Sequence, residues 1–193
     1  MTGPGDPSSA SACSVAFKEW AGICDALADG RQSILLRKGG IAEEGGRFVP
    51  EHPAFWLYPT RLHESQQGLR AEAPSQVQSP PGTVPLYVLA VAEVVLHLDR
   101  ETDLATLGDL HIWTDETIQK RFHYRTPGIW VLGVRAYRPE APIVLEVTPE
   151  QAGCKTWVPL DRPITTAGLV PVLEDASHAL RMDRLRELAA VTR

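Results

Sequence analysis

Three strongly apolar runs divide the chain, and each ends in residues typical of turns. They occupy positions 33–38, 86–98 and 129–137. Apolar runs of this kind are typical of strands that are covered on both faces of a sheet. We therefore expect all three runs to lie in one sheet. Shorter strands are predicted at 55–58, 143–147 and 154–159.

Helical spacing of apolar residues marks the regions around these strands. Near the N-terminus, apolar residues recur at intervals of three and four, at positions 17, 20, 21, 24, 27 and 28. This stripe predicts a helix over 14–30, with Ser14 as its N-cap. Thr114 is followed by two acidic residues, which predicts a second helix over 114–124. An Arg/Leu-rich helix is predicted over 174–191.

These elements alternate without the regular βαβ rhythm of a doubly wound sheet. The sequence therefore predicts an α+β fold with a mixed or antiparallel central sheet, an N-terminal amphipathic helix and a C-terminal helix. A chain of 193 residues fits a single domain, which we place at 14–193. The Gly/Pro/Ser-rich tail at 1–13 is expected to be disordered, and the Pro/Ser-rich segment 73–85 is expected to be an exposed loop.

The formal net charge of −5 argues against a protein that coats nucleic acid non-specifically, because such proteins carry a basic excess. A local basic cleft on an acidic body remains compatible with this charge. Cys13, Cys24 and Cys154 are odd in number and lack CxxC spacing, which predicts reduced thiols and no zinc site. No export signal and no membrane-spanning apolar stretch is recognisable. We expect a cytoplasmic protein without a metal or cofactor.

Arg37 and Lys38 end the first apolar run, and Gly39 and Gly40 follow at once. Glycines let a backbone turn approach a phosphate while the two cations neutralise it, so the segment predicts an anion site. The alternative is a hairpin turn whose strand end is polar because it emerges into water. Exposed charges contribute little to stability, so replacing both cations should leave folding nearly unchanged. The spacing matches neither a Walker-type phosphate loop nor the dinucleotide-binding glycine fingerprint.

His63 and Glu64 follow a strand and a proline, a place where functional side chains often project from a scaffold. The imidazole can donate to a phosphate or act as a general acid or base, with Glu64 or Glu19 as its partner. The alternative is a surface histidine on a helix. Lys155, in the sequence GCKTW, is a further cation that could reach the same ligand.

Arg121, Tyr124 and Arg125 form a second cationic group at the end of the predicted second helix. Tyr124 and Trp113 are candidate surfaces on which a nucleic-acid base would stack. The alternative is that both arginines pair with the acidic residues in the first turn of the same helix, while its apolar side chains face the core.

Two classes of phosphate-ester hydrolase lack their signatures in this chain. A nuclease of the restriction-enzyme type needs a Glu-x-Lys on a strand, but Leu36 stands two positions before Lys38. The helix that defines Nudix hydrolases is also missing, although ILLRKGG looks like the strand that opens their signature. Neither class is supported by the sequence.

Collinear motifs carry a resemblance to a known family. They are FKEWAGICDALADG, ILLRKGGI, FWLYPTRLHE, LHIWTDE, the arginines and aromatics of 121–125, and GCKTWVPL. Together they resemble the bacterial family catalogued as domain of unknown function 1802, over residues 15–160. The resemblance implies that these segments belong to one fold, and it brings no established activity with it.

The sequence therefore predicts a module that binds a phosphate-bearing ligand, either nucleic acid or a nucleotide. Its predicted ligand-binding residues are Arg37, Lys38, Gly39, Gly40, His63, Arg121 and Lys155. One alternative is a phosphodiester-processing enzyme that uses His63 with the carboxylates of Glu19 and Glu64. The other is a protein-interaction subunit whose C-terminal helix packs on a partner through Leu180, Leu185, Leu188 and Ala189.

Overall fold

The computed structural model describes residues 11–38, 52–61, 68–70, 77–151 and 156–192. Its strands are β1 (Ala12–Trp20), β2 (Ile34–Arg37), β3 (Ala54–Thr60), β4 (Thr83–Leu86), β5 (Leu89–Leu98), β6 (Ile129–Arg138), β7 (Ile143–Glu146), β8 (Trp157–Thr165) and β9 (Val170–Pro171). Its helices are α1 (Ala21–Ala28), α2 (Asp115–His123) and α3 (Asp175–Val191), with 3₁₀ segments at Glu101–Leu110 and Pro149–Gln151.

One mixed sheet organises the described residues, and the predicted α+β class is confirmed. Its strand order is β2-β6-β5-β3-β1-β8, with β9 paired to β6, and the β1–β3 pair is parallel. The three apolar runs predicted to share a sheet do so, because β2, β6 and β5 are neighbours. β4 and β7 pair separately as a two-stranded sheet.

The predicted N-terminal helix is wrong over its first half. Residues up to Trp20 form β1, which pairs with β3 on one side and β8 on the other, and the helix begins at Ala21. Ala12 and Cys13, which we assigned to a disordered tail, are therefore part of a strand. The stripe that indicated a helix also fits a strand buried on both faces, and pairing with two neighbours decided the outcome.

Two further boundaries were wrong. Pro59 does not end its strand, because β3 continues to Thr60. Over its last residues β3 pairs with β1 alone, since its pairing with β5 stops at Trp56. A proline is tolerated at such a position since its missing N–H deprives no neighbouring strand of a donor. The predicted loop 73–85 ends earlier than expected, because Val84 and Pro85 are buried in β4. The apolar run 86–98 is not one strand, since Leu86 ends β4 and β5 begins at Leu89.

The second and third helices match their predicted positions. Thr114 caps α2 by accepting a hydrogen bond from the Thr117 N–H at 3.3 Å, and α3 starts directly after Glu174. Leu185 of α3 is fully buried against the protein's own sheet, and Leu188 packs against the same core, whereas Leu180 is exposed. Among the described residues, no helix is long and apolar enough to cross a membrane.

Gly133 lets α3 pack closely on the sheet. A Cβ at this position of β6 would lie 2.6 Å from Leu185 Cδ1 and 3.0 Å from Met182 Sδ, both on α3. Close packing of a helix on a sheet at a glycine leaves no room for another methyl group. Gly133 is therefore required by the packing of α3.

We expect Gly133→Ala to lower the free energy of unfolding by about 1–3 kcal/mol, because the new methyl group overlaps Leu185 and Met182. Urea titration of the full chain measures this loss. Leu185→Ala makes space for the same methyl group, so the double variant should lose less stability than the two single losses added together. Additive losses would show that Gly133 and α3 are not in contact.

His111 is a buried histidine at the end of the long 3₁₀ segment. Its side chain is 3% exposed, and burial together with the nearby Arg70 cation lowers its pKa from 6.5 to about 4. The folded protein therefore holds a neutral imidazole at pH values at which the unfolded chain already binds a proton. Folding stability must fall as the pH falls from about 6.5 to about 4.

We expect wild type to lose on the order of 3 kcal/mol more stability than His111→Phe when the pH is lowered from about 7 to about 4. The phenylalanine ring keeps the bulk of the imidazole and removes its proton site. Denaturant unfolding of both proteins across this range measures the difference. Parallel stability curves would mean that His111 titrates at its ordinary pKa in the folded protein.

Candidate functional site

The parallel strands β1 and β3 end together and bring their last residues to one edge of the sheet. Trp20 at the end of β1 pairs with Thr60 at the end of β3, and Glu19 pairs with Pro59. Chain direction changes at once after Trp20, because α1 begins at the next residue. Backbone and side chains at such strand ends are well placed to contact a ligand.

A buried ion pair joins β1 to β2, although three strands separate them in the sheet order. Arg37 Nη2 lies 3.1 Å from Glu19 Oε2 and donates a hydrogen bond to the Lys18 carbonyl at 2.9 Å. The carboxylate contact is an ion pair without hydrogen-bond geometry. The guanidinium also lies 4.0 Å from the centre of the Phe17 ring. The sheet is therefore curled so strongly that a side chain of its edge strand β2 contacts β1.

Burial makes this pair a structural element. The side chain of Glu19 is 2% exposed and that of Arg37 is 20% exposed. Removing one partner of a buried pair leaves an uncompensated charge, which typically costs 3–5 kcal/mol. The expectation that Arg37 is an exposed charge is therefore wrong, and we now expect its replacement to destabilise the fold.

Arg121, on α2, stacks on two tryptophans next to this pair. Its guanidinium carbon lies 4.2 Å from the centre of the Trp20 ring and 5.1 Å from the centre of the Trp113 ring. Burial lowers its pKa to about 10, with Glu19 acting in the opposite direction. The side chain therefore remains a cation at neutral pH.

The N–H groups of Arg121 have no acceptor among the described residues. The contacts of its guanidinium there are the two aromatic rings, with neither a hydrogen bond nor an ion pair. Arg121 is partly exposed, so a ligand from solvent has access to these donors. Its planar set of donors matches a phosphate or carboxylate group.

Lys38 is engaged by the backbone at the end of α2. Its ammonium donates to the carbonyls of Phe122 at 2.6 Å and Gly128 at 2.7 Å, and also to that of Thr126. Burial lowers its pKa. A cation at a helix C-terminus offsets the partial negative charge of the carbonyls there, so Lys38 fixes the position of α2 beside β2.

The structure therefore brings Glu19, Arg37 and Arg121 into one cluster. The Lys38 ammonium lies next to this cluster, at the C-terminal end of α2. Glu19, which we considered as an acid or base, is the partner of Arg37. The other predicted site residues lie outside the described part of the chain: Gly39, Gly40, His63, Glu64 and Lys155.

Several expectations about α2 need correction. Trp113 is fully buried, so it cannot stack on a base, and its ring supports Arg121 instead. Tyr124 is 58% exposed, and the Arg125 guanidinium lies over its ring. The acidic residues of the first turn pair with other cations, since Asp115 binds Arg70 at 2.7 Å and Glu116 binds Lys120 at 2.6 Å.

Sequence reasoning missed Trp20 as the main support of Arg121. Its place in the apolar stripe made it a core residue of a helix, whereas it is a partly exposed residue at the junction of β1 and α1. A tryptophan at the end of a strand, followed by a small residue, was the available signal. Among the described residues, no group of three or more His, Cys, Asp and Glu is placed to hold a metal ion.

Solved structures with low similarity align with most of the chain. The crystal structure of ASCH from Zymomonas mobilis is 14% identical, with 90% of this chain and 94% of that chain covered, at a TM-score of 0.43. A serine-to-alanine mutant of the same protein gives 13% identity, coverage of 93% and 96%, and a TM-score of 0.44. At this level the similarity carries no conclusion about function. A search of curated proteins gives no match.

The comparison with family sequences is more informative. The resemblance expected over residues 15–160 is confirmed, and it reaches further, into α3. The match covers the second half of β1, the Arg37 strand end and Arg121, so the whole described cluster lies within it. The chain belongs to the family described as domain of unknown function DUF1802, whose sequence model matches residues 16–184.

Proposed function

We propose that this protein binds a phosphate-bearing ligand, nucleic acid or a nucleotide, at the cluster of Arg121, Trp20, Arg37 and Glu19. The observation that carries the proposal is the guanidinium of Arg121, which is partly buried against the Trp20 ring but has no acceptor among the described residues. A ligand phosphate would supply that acceptor through two parallel N–H···O bonds.

The local charge supports an anionic ligand. Arg37 balances the charge of Glu19 within the pair, so the positive charge of Arg121 remains in excess. Lys38 adds a further cation at the neighbouring helix end. A positive cluster on a chain of net charge −5 would attract a phosphate to one place and leave the rest of the surface repulsive.

Aromatic support favours a nucleotide or nucleic acid over a simple anion. Trp20 is partly exposed beside Arg121, and Tyr124 lies one helical turn further along α2 with most of its side chain in solvent. Aromatic side chains next to arginine are typical of sites that hold both a base and its phosphate.

The two alternatives have less support among the described residues. An enzyme would need a reactive carboxylate, but Glu19 is paired with Arg37 inside the fold. A partner-binding C-terminal helix would need a free apolar face, but Leu185 and Leu188 of α3 pack on the protein's own core. Leu180 remains exposed as a single apolar side chain.

Arg121→Gln should weaken binding by about 10- to 100-fold, because a charge-assisted bidentate contact is lost while a polar side chain remains. Fluorescence anisotropy with labelled single-stranded RNA and DNA, and titration with ATP, measures the affinity of the full chain. The slope of the logarithm of the binding constant against the logarithm of the salt concentration should become shallower by about one unit for each phosphate contact removed. Arg121→Lys keeps the charge and should give an intermediate loss.

Arg138→Gln is the matched control, since it also removes one positive charge. Arg138 is exposed and lies at the last position of β6, whereas Arg37 pairs with Trp130 near the start of that strand. It should bind like wild type with the same salt slope. Thermal unfolding of each variant shows whether the fold is intact. The proposal is wrong if folded Arg121→Gln binds as tightly as wild type, or if wild type binds none of these probes at low salt.

A further inference from the structure

A cavity of about 560 Å³ lies beside α2, and Arg121 is not among its lining residues. Its walls come from the 3₁₀ segment Glu101–Leu110, from α2 and from Arg70. Leu104 and Ile118 give it an apolar floor, and both are almost fully buried. This volume is within the range of sites that hold small organic molecules.

His111 lines this cavity and has an unsatisfied ring nitrogen. The residue is 3% exposed, and its Nδ1 has no hydrogen-bond partner among the residues that the structure describes. Buried polar atoms without a partner are rare in folded proteins and call for a specific explanation. A ligand group in the cavity would provide the missing hydrogen bond.

Arg70 holds the mouth of the cavity in place. It donates to the Gly108 carbonyl at 2.8 Å and to Asp115 Oδ1 at 2.7 Å, so it ties the 3₁₀ segment to α2. Its backbone N–H also donates to the Ile112 carbonyl at 2.7 Å. Three anchors of this kind preorganise the rim without help from a ligand.

The charges of the lining are paired with one another. Arg70 binds Asp115, and Glu101 contacts His123 Nε2 at 2.9 Å, outside the cavity. The lining charges thus already have partners in the protein, so no charge among the described lining residues is left to attract a ligand of opposite sign. An uncharged ligand therefore fits best.

We propose that this cavity binds a small uncharged heterocycle of nucleoside size, with its apolar face on Leu104 and Ile118 and a polar edge on His111. Nucleosides combine a flat apolar ring with a hydrogen-bonding edge and carry no charge. Such a ligand would leave the Arg70–Asp115 and Glu101–His123 contacts intact.

This site is independent of the anion site proposed above. Asp115 and Gln119 line the cavity from one side of α2, whereas Arg121 stacks on Trp20 from another side of the helix. Ile118, on the buried face of α2, belongs to the cavity floor and is not part of the stack that the Arg121 guanidinium forms with the tryptophan rings. Failure of one proposal therefore leaves the other standing, because each has its own residues and its own probes.

Isothermal titration of the full chain with adenosine, guanosine, cytidine and uridine, each at millimolar concentration, tests the cavity. We expect at least one nucleoside to bind wild type. His111→Phe should weaken the affinity for this nucleoside by about tenfold, because one hydrogen bond is lost while the volume of the ring is kept. Ala105→Trp should abolish binding, because an indole at this exposed lining position fills the cavity. Ala105→Ser is the matched control and should bind like wild type.

Arg121→Gln should leave nucleoside binding unchanged, which separates this result from a test of the anion site. The proposal is overturned if no nucleoside binds wild type, or if Ala105→Trp and His111→Phe both bind like wild type. Thermal unfolding confirms that each variant is folded. Loss of nucleoside binding in Arg121→Gln, with Ala105→Trp still binding like wild type, would place the nucleoside at the anion site and would also overturn the proposal.

Discussion

The contact of Arg37 with Glu19 and the Lys18 carbonyl is the interaction on which the rest of the architecture depends. It connects the edge strand β2 to β1 across three intervening strands, so it holds the sheet in its curled form. Because both side chains are largely buried, the pair removes one cation and one carboxylate from the surface. The pair uses up the charges of Arg37 and Glu19. Within the cluster, Arg121 is therefore the arginine whose donors have no acceptor among the described residues.

Helix α2 contributes residues to both candidate binding sites, the cluster at Arg121 and the cavity at His111. Thr114 fixes its first turn and the Lys38 ammonium binds carbonyls at its last turn, so the short helix is held at both ends. At the first site, Arg121 is supported by Trp20. At the second site, His111 and Arg70 border a cavity whose floor includes Ile118. A capped and packed helix can present donors to a ligand with little loss of conformational entropy on binding.

Much of the fold was predictable from the sequence because its strongest signals are local. The apolar runs of β2, β5 and β6 and the Thr114 cap gave correct elements. The boundary between β1 and α1 was not predictable from periodicity, because a strand buried on both faces shows no alternation and its apolar residues also fit a helical stripe. Arg37, Arg121 and Glu19 were recognised as candidates, but which cation would pair with which carboxylate depends on the curl of the sheet. The cavity at His111 depends on three segments distant in sequence, and no local pattern indicated it.

Side-chain NMR of the arginine Nε–Hε groups tests the central claim most directly, during titration of the full chain with a short single-stranded oligonucleotide. The Arg121 signal should shift in a saturable manner, because its donors acquire an acceptor. The Arg37 signal should stay nearly constant, because that guanidinium is already held by Glu19 and the Lys18 carbonyl. A shift of Arg37 or of the exposed Arg138 as large as that of Arg121, or an Arg121 signal that does not move while the oligonucleotide binds, would contradict the account.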